Sequence, residues 1–420
     1  MTTSPAQPHE ATSLVVRSVP VDDPGNLLAL PPEDELVAWV RRGDGVVGWG
    51  VAAQVRTSGA SRFSDAHEWW EGLRRRAVVR DEIGVPGSGL LTFGSFAFAD
   101  EPGDSTLVVP EVVVGRRDGR CWVTHIAAAS ITAPTDLHVA SPPPAPEDVT
   151  FSDGALDGTQ WQAVVADAVR RIADGELEKV VLARDLLAHA SEPIDVRWPL
   201  QRLASEYPSC WTFHVDSLFG ATPEMLVRRE RGLVTSRVLA GTIRRTGDDA
   251  RDLQLAASLA RSSKDLEEHE YAVRSVADAL APHCTSMNVP ESPFVLHLPN
   301  VMHLATDVAG VAHDAATVSS LRLAESLHPS AAVGGTPTPA ATALIGEIEG
   351  MDRGRYAGPV GWMDAAGDGE WGLALRSAHL AGSTVRLFAG CGIVADSDPE
   401  AELAEAQAKF VPVRDALASG

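Results

Sequence analysis

Lysine is nearly missing from this chain: of 35 lysines and arginines, only Lys179, Lys264 and Lys409 are lysine. Basic residues as a whole are also short, 35 against 57 acidic, which leaves a formal net charge of −22 at pH 7. That deficit excludes nucleic acid or an anionic membrane as the main partner, because neutralising phosphates needs a basic face. The four cysteines, Cys121, Cys210, Cys284 and Cys391, form no CxxC pair, so neither a disulfide framework nor a zinc knuckle is indicated. No apolar run approaches the ~18 residues of a membrane span. The opening MTTSPAQPHEATS has neither the basic nor the apolar region of a secretory signal. With 45% hydrophobic and 22% charged residues, wholesale disorder is excluded as well. The expectation is an acidic globular protein of the cytoplasm, monomeric because no coiled coil or large apolar patch is legible.

Against a background that writes arginine almost everywhere, each lysine calls for an explanation. Arginine stays protonated in proteins, whereas a lysine can serve as a base once its pKa is lowered.

Residues 1–13 are small and polar and read as a disordered tail. Residues 14–140 hold short β-rich runs (SLVVRSV, ELVAWV, GVVGWGVAA, STLVVPEVVVGR, CWVTHIAA) with one helical stretch, SDAHEWWEGLRRRAVVRDE. SPPPAPED marks a linker over 141–150, since prolines neither pair in a sheet nor continue a helix. Residues 151–417 then carry a helix after Asp157 and a strand, KVVLARDLLAHA. More strands follow, with a helix over about 250–280, two hairpin-like strand segments and a final helix over 399–417. Hairpin turns in both halves, without βαβ alternation or a GxGxxG, predict an α+β fold. Its two large, mostly antiparallel β-sheets would pack together with helices outside.

In SDPEAELAEAQAKF, Asp398 and Pro399 occupy the N-cap and N1 positions of a helix. Glu402, Glu405 and Lys409 then share one face, which on most helices is a solvated face with an i,i+4 ion pair. In RSSKDLEEHE, Asp265 and Glu268 repeat the i,i+3 carboxylate spacing. Two helices that each offer paired carboxylates suit a hard divalent cation such as Mg²⁺ bound through oxygen. Without an accompanying His/Cys set, zinc and iron are disfavoured, and His269 reads as a packing residue. Lys179 opens an apolar strand, where desolvation would favour the neutral amine; a strand-end lysine reaching solvent is the plainer reading. Glu224, after Pro223 at a strand turn, could donate a proton if a dry pocket raised its pKa, although a lone carboxylate seldom does so.

KVVLAR, FGATPEMLV, VLAGTIRR, SSKDLEEHE, MHLAT, HPSAAVGGTP, DRGRYAGPVGW, LALRSA and FAGCGIVADSDPEAELAEAQAK run in the order found in the chorismate-utilising enzymes. Among these, the chain resembles the isochorismate synthases over about residues 155–417. GSGLLTFGSFAFAD resembles the N-terminal half of that family more loosely. The resemblance implies Mg²⁺-dependent conversion of chorismate to isochorismate, feeding menaquinone or siderophore biosynthesis. It makes Lys179 the general base for water and Glu224 the general acid for the departing hydroxyl. It also makes Glu268 and Glu405 metal ligands, with Asp265 and Glu402 behind them. Gly241, Thr242 and His303 match residues that line the substrate ring and its carboxylate. Tyr356, Arg376, the amides around Gly390 and Gly392, and Lys409 match those that hold carboxylates. Lys264 receives no role.

Similarity to anthranilate synthases is more distant, since these carry Gln where Lys179 stands and use ammonia. Salicylate synthases keep the lysine but have Thr at the place of Ala332, so Ala332 implies a reaction that stops at isochorismate. The remaining alternatives are a salicylate synthase and a non-catalytic chorismate-binding subunit; the latter would need neither Lys179 nor Glu224. Departures from the family pattern are Ser330 and Ala331 beside Ala332, Cys391 between the two glycines, and Ala406 after the metal glutamate.

Overall fold

The computed structural model describes residues 13–32, 35–128, 137–297, 301–314 and 317–418, apart from the side chains of Thr242, Lys264, Asp265 and Glu268. The expected tail therefore lies, except for Ser13, outside the described residues.

Two sheets of thirteen and ten strands carry the fold, and both halves of the sequence contribute to each. In the larger sheet Val37–Arg41 pairs with Trp211–Val215. In the smaller one Leu91–Ser95 pairs with Pro359–Asp364. Both joints are antiparallel, and the first strand, Val15–Pro20, adds a parallel pairing with Val78–Asp81. The expected α+β architecture of two large antiparallel sheets is present. Its core lies where buried aromatic side chains interlock, with Phe63 stacked on Phe96 at 4.3 Å and Phe96 set edge-on to Trp371 at 5.7 Å. Truncating a ring such as Trp371 to alanine would cost about 3–5 kcal/mol.

Helices cover the sheets. Helix Gly158–Ala173 starts at Asp157, which forms a reciprocal capping box with Gln160 and is worth about 1 kcal/mol. It buries Trp161, Val165, Ala168 and Ile172, the apolar stripe that its 3.6-residue period dictates. Helix Pro399–Leu417 begins as its sequence indicates, with the Asp398 carboxylate accepting from Ala401 N. It packs against the first helix and against strand Thr384–Ile393.

Two expectations need correction. The single helix over about 250–280 is two helices, Asp249–Leu259 and Ser263–Leu280. The first closes with tight i→i−3 bonds from Arg261 N to Ser258 O and Ser262 N to Leu259 O. Ser262 then accepts from Leu266 N to start the next helix, as suits a residue that favours caps over helix interiors. The two hairpin-like segments near the C-terminus are four strands: Pro359–Asp364, Gly369–Leu373, Ser377–Ala381 and Thr384–Ile393. The first pair belongs to the smaller sheet and the second to the larger. The chain crosses between sheets at Ala374–Arg376, and Arg376 adopts a left-handed φ of 49° there.

Candidate active site

Strand Lys179–His189 lies antiparallel to Thr384–Ile393, pairing Val181 with Gly392 and Ala183 with Gly390. Lys179, at its start, pairs with Thr336 beyond the HPSAAVGG segment. A β-carbon on Gly392 would stand 2.9 Å from Lys179 Cε and 3.6 Å from its Nζ, so the lysine lies directly over the glycine backbone. At Gly390 a β-carbon would meet Tyr356 Oη at 3.2 Å. Tyr356 is itself stacked on Phe388 at 5.1 Å. The two glycines thus clear room for the side chains of Lys179 and Tyr356.

A cavity of roughly 600 Å³ has Lys179, Glu224 and Ala332 among its walls, together with apolar Met225, Val238 and Leu327. Glu224 sits at the joint between strands Leu218–Thr222 and Met225–Glu230, with its amide donating to Thr222 Oγ1 at 3.2 Å and its carbonyl accepting from Leu373 N at 3.1 Å. Burial raises the Glu224 carboxyl to about 7, even though Arg376, Lys179 and Lys409 pull the other way. A carboxylic acid held near neutrality is suited to give up a proton at working pH.

Arg376, Lys409, His303 and Glu405 are not among these walls; Arg376 and Lys409 act electrostatically on Glu224, and Arg376, Lys409 and Glu405 on His303. Lys409 Nζ donates to Gly390 O at 2.7 Å and pairs with Glu405 Oε1 at 2.7 Å. The i,i+4 pair expected of an ordinary helix face is therefore present, with its lysine also bonded to the Gly390 carbonyl. His303 faces Thr242 across the strand bulge at Gly241, whose φ is 71°. Burial lowers the His303 imidazole to about 4, with Arg376 adding to the shift and a hydrogen bond with the Gly241 backbone opposing it. It is a neutral imidazole at pH 7. Burial pushes the Tyr356 phenol up to about 12, so it remains a donor.

Ligand atoms of Cys391, Glu402 and Glu405 lie within 4.8 Å of one another. Burial pushes the Cys391 thiol up to about 12, and its Sγ donates to Glu402 O at 3.4 Å. Glu402 accepts from Ser397 Oγ at 2.8 Å, while burial and the neighbouring Glu405 raise its carboxyl. Burial raises Glu405 too, but Lys409, Arg244 and Arg376 outweigh this and hold it below the ordinary value. With the thiol protonated, the donors on offer are carboxylate oxygens, and the set fits a hard divalent cation. Helix Ser263–Leu280 packs on strands Leu233–Arg244 and Val301–Ala312, the latter bearing His303. The side chains of its Asp265 and Glu268, like that of Thr242, lie outside the described residues. His269 is buried and bonds Thr306 Oγ1 through Nε2 at 2.8 Å, in keeping with a packing role.

Sequence reasoning missed two supports. Gly372 has room for no side chain: a β-carbon there would stand 2.9 Å from Glu224 O and 3.0 Å from Trp39 Cη2. Trp39 donates from Nε1 to Glu370 Oε2 at 2.9 Å, so an N-terminal residue backs the segment that holds Glu224. Arg353, an unassigned arginine of DRGRYAGPVGW, is the other. Its place inside that family motif was the available signal.

A family model described as chorismate binding enzyme matches residues 23–418. The isochorismate synthase MenF of Bacillus subtilis is 30% identical, over 92% of this chain and 86% of that protein. The isochorismate synthase DhbC of the same organism is 39% identical, over 76% of this chain and 79% of that protein. Among solved structures, MenF, the menaquinone-specific isochorismate synthase from Escherichia coli, superposes with a TM-score of 0.77 at 25% identity, over 97% of this chain and 95% of that one. The fold and the cation-flanked, carboxylate-bearing cleft are those of an enzyme acting on a small anionic molecule. The chain belongs to the chorismate-binding enzymes.

Proposed function

We propose that this chain is an isochorismate synthase that adds water to C2 of chorismate with loss of the C4 hydroxyl, supplying menaquinone or siderophore biosynthesis. The observation that carries this reading is the shared cavity: a lysine amine and a carboxylic acid poised near pH 7 face one space. Binding alone would require neither.

Chorismate is a dianion entering a chain of net charge −22, so local cations must outweigh the global field. Arg376 and Lys409, with the amides around Gly390 and Gly392 and the Tyr356 hydroxyl, hold a carboxylate. Gly241, Thr242 and neutral His303 line the ring and its own carboxylate. Lys179 takes a proton from water as the oxygen attacks C2, the ring double bonds shift, and Glu224 protonates the C4 oxygen as it leaves. Base and acid on opposite faces make this a single allylic displacement, with positioning as its largest contribution.

Glu405 and Glu268, with Glu402 and Asp265 behind them, are the residues that would hold Mg²⁺. When bound, the cation offsets carboxylate charge and orients the ring. Ala332 leaves the ring wall apolar, which supports isochorismate as the released product. We further propose a cytoplasmic location and a monomeric state.

The test is incubation with chorismate with and without Mg²⁺, with ammonia and glutamine controls and chromatographic separation of products. An Mg²⁺-dependent isochorismate peak is expected. Salicylate with pyruvate, or anthranilate, would overturn the product assignment, and binding without turnover would leave a non-catalytic subunit. Lys179→Ala should abolish turnover and keep chorismate binding measurable.

A further inference from the structure

Arg353 and Glu349 form a buried ion pair, their side chains 3% and 1% exposed and 2.6 Å apart. They are not among the cavity walls. Two charges are removed from water at considerable expense, and such a pair often adds little stability over well-packed apolar residues. Its hydrogen bonds suggest what it does instead.

The guanidinium donates twice to Glu349, from Nε at 2.7 Å and from Nη2 at 2.6 Å. Nη2 also reaches Val181 O at 2.7 Å, and Nη1 reaches Val333 O at 2.9 Å. Val181 lies two residues after Lys179, and Val333 directly follows Ala332. Glu349 Oε1 in turn accepts from Ala183 N at 2.6 Å, further along the same strand. One planar group therefore clamps the strand that begins with Lys179 to the segment that carries Ala332. One face of the guanidinium lies over the Phe98 ring, 4.2 Å from its centroid, and His328 donates from Nε2 to Phe98 O at 2.9 Å. Both ends of the Ala332 segment are thus referred to a single residue of the N-terminal half. The Arg353 carbonyl also accepts from Tyr356 N at 3.0 Å.

We propose that Arg353, held by Glu349, is a positioning residue that fixes Lys179 relative to the Ala332 wall. This rests on the reading of Lys179 as the base. Lysine cannot replace it, because one ammonium lacks the fork that serves a carboxylate and two carbonyls at once.

The experiment compares wild type with Arg353→Lys and with the double variant Glu349→Met/Arg353→Met. The double variant swaps the pair for apolar groups of similar length. Turnover is followed as chorismate disappearance per folded molecule, chorismate affinity by calorimetry, and fold by thermal unfolding. Expected is a ~10–100-fold fall in kcat, the effect of a misplacement of about 1 Å. Chorismate Kd should stay within about 3-fold, since Arg376 and Lys409 are left in place. Wild-type kcat per folded molecule in either variant would overturn the proposal, as would a loss confined to Kd. If the double variant does not fold, Arg353→Lys, which keeps the charge opposite Glu349, decides alone. Turnover surviving in Lys179→Ala would instead sink the base assignment, an outcome distinct from Arg353→Lys at wild-type kcat.

Discussion

Lys179 rests on Gly392: the space a β-carbon would take at 392 lies 2.9 Å from the lysine Cε. The pairing of Val181 with Gly392 places the glycine opposite the start of the lysine's strand. Gly392→Ala should therefore displace the amine while keeping the backbone amide at position 392 and leaving Arg376, Lys409, Glu402 and Glu405 unchanged. Turnover is expected to fall ~10–100-fold with chorismate Kd little changed. Steady-state kinetics together with calorimetry reads the two separately. Unaltered kcat would mean that Lys179 does not act from this position.

The acid limb follows from Glu224. Its carboxyl lies at about 7, so it holds its proton below that pH and loses it above. The kcat/KM profile should fall about tenfold per unit on the alkaline side of about pH 7, since it reports the free enzyme. Lys409→Met removes a cation that favours the carboxylate form, so the same limb should move to higher pH. Glu224→Gln should lower kcat by ~10²–10⁴-fold and remove the limb. A limb that survives in Glu224→Gln belongs to another group.

Gly372 gives a prediction that joins stability to catalysis. Its absent side chain admits Trp39 Cη2 and Glu224 O within 3.0 and 2.9 Å of the β-carbon position. Gly372→Ala should cost about 1–3 kcal/mol by overpacking, seen as a lower denaturant midpoint. It should also lower kcat, because the Glu224 carbonyl is the group that must give way. Stability and kcat both at wild-type values would show that the strand relaxes elsewhere.

Much of this arrangement was legible in the sequence because local rules and the fold agree. Asp157 and Asp398 announce helix starts through their side-chain oxygens, and both caps are formed. Strand runs between glycines and prolines marked most strands, and the shortage of lysine draws attention to Lys179 and Lys409, though equally to Lys264, whose side chain lies outside the described residues. What was hidden depends on long-range geometry. The break at Arg261–Ser262 turns on two i→i−3 hydrogen bonds, and the apolar spacing of the sequence does not announce it. The crossing at Ala374–Arg376 has no glycine or proline between Leu373 and Ala381 to mark it. The contact of Trp39 with Gly372 spans both halves of the chain and leaves no mark in either motif. Arg353 was written inside a family motif, but only the carbonyls of Val181 and Val333 show what it holds.

The central claim is that a water molecule, activated by Lys179, becomes the C2 hydroxyl while the C4 oxygen departs with a proton from Glu224. Running the Mg²⁺-dependent reaction in oxygen-18 water and analysing the product by mass spectrometry tests it directly. The account predicts isochorismate with one labelled oxygen, located on C2, and no such product from Lys179→Ala. Unlabelled isochorismate would mean that the hydroxyl migrates without solvent water, and would contradict the roles given to both residues.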